Sequence, residues 1–251
     1  MDISHLPGDV AVRKPRALKR ILGALLYHER VALVDRSQRE PRVRLTEAHE
    51  IGHKIIPWHE AAFRLDDEER LLGMTRDQLE EEAYLAGGHL IFQGLRFHER
   101  ALDYKISIST PIALADDYGA SLHATIRYYV LHHPDAVAVL VAGRYINRDG
   151  SVPVWRSIES PSFSARFGSL ATRMPGGRLL IASGAGQPLG DISHQAMAAA
   201  DLAAKDIAIP DSDGTRHEFI AEAFFNQHNL FIMVTGKKAA RFGRRVRVVA
   251  S

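Results

Sequence analysis

The 251-residue chain contains no cysteine. That excludes a disulfide framework, a thiol nucleophile and every zinc site built on thiolates, so any metal must be held by His, Asp or Glu. Long apolar runs are missing as well. The longest, Ala136 to Ala142, falls far short of the roughly 20 residues that span a bilayer. The opening Met-Asp-Ile-Ser-His has no cationic stretch leading into an apolar one, as a secretory signal would. A soluble, cytoplasmic protein without membrane association is the expectation. Net charge is small, 32 Lys and Arg against 30 Asp and Glu, so any nucleic-acid footprint has to be local. Histidine is what the chain has in quantity: 13 residues, nine of them between His28 and His133.

There is no internal repeat and no low-complexity tract, so organisation is read from hydrophobic period, which changes near Pro134. Before it the pattern is mostly helical. Lys14 to His28 reads as a helix with Leu18, Ile21, Leu22, Leu25 and Leu26 on one stripe. Val31–Val34 and Arg42–Leu45 read as short strands around a turn from Arg36 to Pro41. Thr46–Ile56 reads as a helix stopped by Pro57, and Thr75–Gln93 as a helix with a Thr75/Gln78 capping box. Ile112–Tyr118 and Ser121–His132 form a helix pair broken at Gly119.

After Pro134 the pattern is short strands, at Ala136–Ala142, Val152–Trp155, Leu179–Ser183, Glu218–Phe225, Leu230–Val234 and Arg245–Val249, with an Ala-rich helix over Ile192–Lys205. The expectation is an α+β protein: residues 1–134 a mostly helical domain, residues 135–251 a smaller α+β domain that binds a partner or signal.

One motif carries chemistry. His49-Glu50-Ile51-Gly52-His53 is HExxH on a predicted helix. Residues four apart share a helical face, so both imidazoles reach one zinc ion, and Glu50 stands beside it to take a proton from water. In a chain of this composition a chance match is expected about 0.04 times. A catalytic zinc normally has three protein ligands plus water. His59 lies six residues beyond His53, the separation found in HExxHxxGxxH enzymes, but Ile56 stands where that motif has glycine. The other source is Glu80-Glu81-Glu82. Glu80 shares a face with Ala83 and Gly87, small residues that allow a second helix to approach closely, whereas Glu81 reads as solvated.

These residues carry a family resemblance. Arg44-Leu-Thr-Glu-Ala-His-Glu-Ile-Gly-His-Lys-Ile-Ile-Pro-Trp-His59 and Glu80-Glu-Glu-Ala-Tyr-Leu-Ala-Gly-Gly-His-Leu-Ile-Phe92 resemble the ImmA/IrrE-type zinc metallopeptidases. Pro111 to Val130, with Tyr118-Gly-Ala-Ser121 at its break, is similar to a third segment of that family, so the likeness covers about Val31 to Val130. Tyr84 stands where the family usually has Asn or Asp, and Tyr128, next to Arg127, where it usually has Arg. The resemblance implies a zincin-like fold, Zn2+ on His49, His53 and Glu80, and Glu50 as general base. It further implies a regulatory protease that cleaves a helix-turn-helix transcriptional repressor during stress or mobile-element induction.

Other groups are weaker. His89, Tyr104, His123, Arg127 and Tyr128 are candidates to touch substrate or the oxyanion formed during hydrolysis. The helix pair over 112–132 could imitate a DNA-binding helix-turn-helix, but Asp116 and Asp117 argue against it. Lys237–Arg247 is a basic cluster, read as a solvated strand edge, with nucleic acid a secondary partner. Gly184–Gly190 matches no phosphate-loop motif and reads as a turn. The alternative to a protease is a DNA- or partner-binding regulator whose metal site is structural or vestigial.

Overall fold

The computed structural model describes residues 23–26, 31–65, 73–170, 178–180, 188–199 and 201–237. The chain is a mixed α+β protein that divides into two compact units, Met1–Gly94 with Tyr118–Ser121, and Leu95–Asp117 with Leu122–Ser251. No described helix is long and apolar enough to cross a membrane.

The first unit opens with an antiparallel hairpin of β1 (Gly23–Leu26) and β2 (Val31–Val34), paired from Gly23 with Val34 to Leu26 with Val31. Residues expected to belong to a helix therefore form β1; the remainder of the Lys14–His28 expectation lies outside the described residues. Arg42–Leu45 is no strand either. It is the first turns of α1 (Glu40–Ile55). Glu40 and Pro41 occupy the helix start, where an acidic side chain suits the dipole and proline's missing N–H costs nothing. Just before it, the Asp35 carboxylate accepts hydrogen bonds from the Ser37 backbone N–H at 2.9 Å and from Gln38 Nε2 at 3.2 Å. Those bonds hold its carboxyl below its ordinary range, the Ser37 contribution being the largest.

The chain bends at Ile56, and α2 (Pro57–Leu65) follows directly, so Pro57 ends one helix and begins another. Helix α3 (Gly73–Phe92) starts ahead of Thr75. Thr75 is therefore not at the helix start, where a capping box would place it, and the Gln78 amide donates to Glu82 Oε1 at 3.1 Å. Gln93 and Gly94, at φ of 56° and 55°, end α3 in the left-handed region, with Gly94 N–H returning to the His89 carbonyl.

Helices α1 and α3 pack almost backbone to backbone. A Cβ on Gly52 would sit 2.6 Å from the Ala83 carbonyl oxygen, and one on Gly87 would meet the Ala48–His49 peptide at 3.0 Å. Ala83 is fully buried between them. Arg44 of α1 also donates to the carbonyls of Tyr118 and Gly119, each at 3.0 Å, which ties that turn to this unit.

The second unit begins with α4 (Leu95–Leu102), α5 (Ser109–Asp117) and α6 (Leu122–Leu131). Its remaining elements are β3 (Val137–Ala142), β4 (Ser151–Glu159), α7 (Pro161–Phe167), β5 (Arg178–Leu180), α8 (Pro188–Ala199), β6 (Ala203–Pro210), β7 (Arg216–Phe225) and β8 (Leu230–Gly236). The strands form one antiparallel sheet in the order β5-β4-β3-β8-β7-β6. On one face Leu140, Ile232 and Ala221 share a core with Phe163, Phe167 and Ile192. Ser160 caps α7 by accepting from Phe163 N–H at 3.2 Å. The expected Ile192–Lys205 helix stops at Ala199, and Ala203–Pro210, with buried Ala203, Ile207 and Ile209, forms strand β6. Arg245–Val249 lies outside the described residues, as do most of Gly184–Gly190 and of the basic cluster after Lys237.

The compact units do not follow the change of period at Pro134. Glu222 of β7 accepts from Ile108 N–H at 2.6 Å and from Ser107 Oγ at 3.2 Å, and α6 packs on β3 and β4. Helices α4 to α6 thus belong with the sheet.

The Gly52 contact leaves no space for a methyl group because the opposing atom is backbone. Gly52→Ala is expected to destabilise the first unit by about 1–3 kcal/mol, read as loss of amide-exchange protection in α1 and α3. Unchanged protection in that variant would mean the two helices are not in close contact.

Candidate metal centre

Helix α1 places His49 and His53 one turn apart on the face that meets α3, and α3 supplies Glu80. One donor atom from each of the three lies within 4.8 Å of the others. His49 Nε2 is 3.2 Å from His53 Nε2 and 3.1 Å from Glu80 Oε2, and His53 Nε2 is 3.7 Å from Glu80 Oε1. Tetrahedral zinc with ligands at about 2.0–2.1 Å puts its donor atoms about 3.3 Å apart. Two imidazole nitrogens and a carboxylate at these separations fit a divalent ion. His53 is buried, His49 half-buried and Glu80 exposed, so the group opens to solvent on the Glu80 side.

Protonation states suit the same role. Burial, then the adjacent His49, push the His53 imidazole down to about 4, against the partial opposition of Glu80. It is therefore neutral, with a lone pair to offer. Glu50 is 6% exposed, and a Cβ on Gly23 of β1 would lie 2.6 Å from its Oε1. Burial first, and the Glu80 charge second, push its carboxyl up from 4.5 to about 7.

His59 does not join the donor group. It is fully buried behind it, with Nδ1 at 2.9 Å from His53 Nδ1 and Nε2 at 3.0 Å from Glu82 Oε2. The same Glu82 oxygen accepts from Trp58 Nε1 at 2.7 Å. Hydrogen bonds from His59, Trp58 and Gln78, in that order, hold the Glu82 carboxyl below its ordinary range. Glu81 is exposed. The sequence offers His59 as a ligand or, with Trp58, as packing at the exit of the metal helix, and Glu82 only as one of three carboxylates that could face the metal; their pairing with each other is not among those readings.

Of the five weaker candidates, one belongs to the same unit as this group and four to the other. His89 is an exposed residue of α3, nine positions and about 13 Å of helix beyond Glu80. Tyr104, His123, Arg127 and Tyr128 belong to the second unit. There Arg100 stacks over the Tyr104 ring at 5.2 Å, and the buried Tyr128 ring packs on Phe97 and His132. Burial, then Arg156 and Arg127, lower the His123 imidazole, which sits 6.4 Å from the Phe231 ring. A cleft of about 850 Å³ runs along β2 and the turn after it, from Ala32 to Ser37, with Glu47 and Ile51 of α1 as its other wall. Its lining adjoins Glu50 in sequence but includes none of the three donor residues.

No protein-family model matches the chain, and no curated protein matches it. Among solved structures it is similar to a chain described as a Mycobacterium tuberculosis transcriptional regulator, at 12% sequence identity and a TM-score of 0.53. The match covers 86% of this chain and 63% of that one, so this chain spans less than two thirds of its neighbour's length. The likeness concerns the fold alone.

The raised Glu50 carboxyl gives a pH signature in the metal-free protein. Between about pH 4.5 and 7 the folded chain keeps a proton that the unfolded chain releases, so stability falls as pH rises through that window. Glu50→Gln removes this cost. Its stability advantage over wild type, measured by urea unfolding with chelator present, is expected to widen by roughly 2–3 kcal/mol from about pH 5 to about pH 8. An advantage that does not vary with pH would show that Glu50 is not held in a protonating environment.

Proposed function

We propose that this chain is a zinc-dependent endopeptidase of zincin-like type, a regulatory protease that cleaves a helix-turn-helix transcriptional repressor in the cytoplasm. The observation that carries the reading is the convergence of His49, His53 and Glu80 from two helices, with the buried Glu50 carboxyl on the same helix as both imidazoles. A divalent ion held by those three residues would polarise a scissile carbonyl and acidify water. The chain's own contribution is proton transfer and positioning. A carboxyl near neutrality accepts a proton from the attacking water and hands it to the departing amine, which needs an acid and a base form in one cycle. An extended peptide is suited to the cleft along β2, whose outer edge has no partner strand among the described residues.

The class of substrate comes from the resemblance of Arg44–His59 and Glu80–Phe92 to the ImmA/IrrE-type peptidases. The second unit, with its own sheet and core, is the candidate to receive a partner or signal.

Coexpression with the product of a neighbouring repressor gene, followed by mass spectrometry, tests the reading. Wild type is expected to generate discrete repressor fragments, and Glu50→Gln to lower their rate by about 10²–10⁴-fold while retaining the metal. Equal fragmentation by both proteins would refute a role for Glu50. An intact repressor, together with salt-sensitive DNA binding that Glu50→Gln leaves unchanged, would identify instead a regulator with a structural metal site.

A further inference from the structure

We propose that Glu82 and His59 form a positioning relay that sets the tautomer of His53 and thereby decides which of its ring nitrogens faces the metal group. The inference rests on the metal-site reading above and extends it to two residues outside the donor set.

Glu82 Oε2 receives the Trp58 indole N–H at 2.7 Å, and an ionised carboxylate only accepts, so His59 Nε2, 3.0 Å from the same oxygen, must carry a proton. Gln78 Nε2 donates to the other oxygen at 3.1 Å, leaving the carboxylate held from three sides. A neutral His59 with its proton on Nε2 has a bare Nδ1. That bare nitrogen lies 2.9 Å from His53 Nδ1, and a bond between two nitrogens needs one proton, so His53 supplies it. A neutral His53 protonated on Nδ1 leaves Nε2 unprotonated. Nε2 is the atom 3.2 Å from His49 Nε2 and 3.7 Å from Glu80 Oε1. The anion at Glu82 therefore orients a lone pair two rings away.

Burial makes the arrangement stringent. His59 is fully buried and His53 is 5% exposed, so water cannot readily replace a lost partner. Partners of this kind are commonly worth about 10–100-fold in metal affinity, because they raise ligand basicity and fix ring orientation. His59 and Glu82 touch no substrate in this scheme and act only through His53.

Two readouts on the full chain test it. Long-range 1H–15N correlation spectra of the metal-free wild type, at a pH where both rings are neutral, are expected to show His53 protonated on Nδ1 and His59 on Nε2. The opposite assignment for either ring overturns the relay, whether or not zinc binds. In competition with a chromophoric chelator, Glu82→Ala and His59→Phe are expected to weaken zinc binding by about 10–100-fold. Glu82→Gln, whose amide oxygen still accepts from His59 and Trp58, is expected to recover most of it and to keep the wild-type tautomer. Zinc affinity within twofold of wild type in both disruptive variants overturns the relay, as does a Glu82→Gln defect as large as that of Glu82→Ala. A wild type with the expected tautomers but no zinc affinity would support the hydrogen-bond relay while removing the metal reading beneath it.

Discussion

The approach of α1 to α3 through Gly52 and Gly87 is the contact on which the site depends. A side chain at either position would meet peptide backbone on the other helix at 2.6 to 3.0 Å. Separation of the helices would lengthen the reach from Glu80 to His49 and His53, because one donor comes from α3 and two from α1. The glycines thus have a packing role with a chemical outcome. The short distance they allow brings a carboxylate to within 3.1 Å of an imidazole nitrogen.

Around that contact the charges are arranged by depth. The exposed Glu80 lies on the open side, Glu50 and His53 are buried beside it, and the His59–Glu82 pair backs the group. Burial acts in opposite directions on the acid and the base, raising Glu50 and lowering His53, so both are disposed to be neutral before any cation arrives. A divalent cation would change that balance, since its charge favours ionised carboxyls and bare imidazoles alike. The proposed chemistry follows from this setting together with the sequence resemblance. The structural neighbour bears on the α+β fold only.

The two imidazoles of the group that could hold a metal ion were legible because their geometry is local. His49 and His53 need only helical spacing, and Glu80 was selected by the small residues Ala83 and Gly87 on its own face, the residues that now line the helix contact. What escaped was long-range or ambiguous in period. Leu25 and Leu26 fit a helical stripe and a strand equally well, and pairing with Val31 and Ala32 decided for the strand. Glu40-Pro41 resembled a turn but begins a helix. Ala203, Ala204 and Lys205 extend the Ala-rich helical pattern, but eight residues of pairing with β7 make them the start of β6. The partnership of His59 with Glu82 joins residues 23 positions apart across two helices, so no spacing rule reveals it.

The central claim, that two imidazoles and one carboxylate hold a single divalent ion, is tested most directly by equilibrium zinc binding to the metal-free chain, with X-ray absorption of the loaded protein. The account predicts one zinc per chain, a spectrum with two imidazoles and an oxygen donor, and binding abolished by His53→Ala and severely weakened by Glu80→Ala. Failure of the wild type to retain zinc, or affinity that Glu80→Ala leaves unchanged, would contradict it.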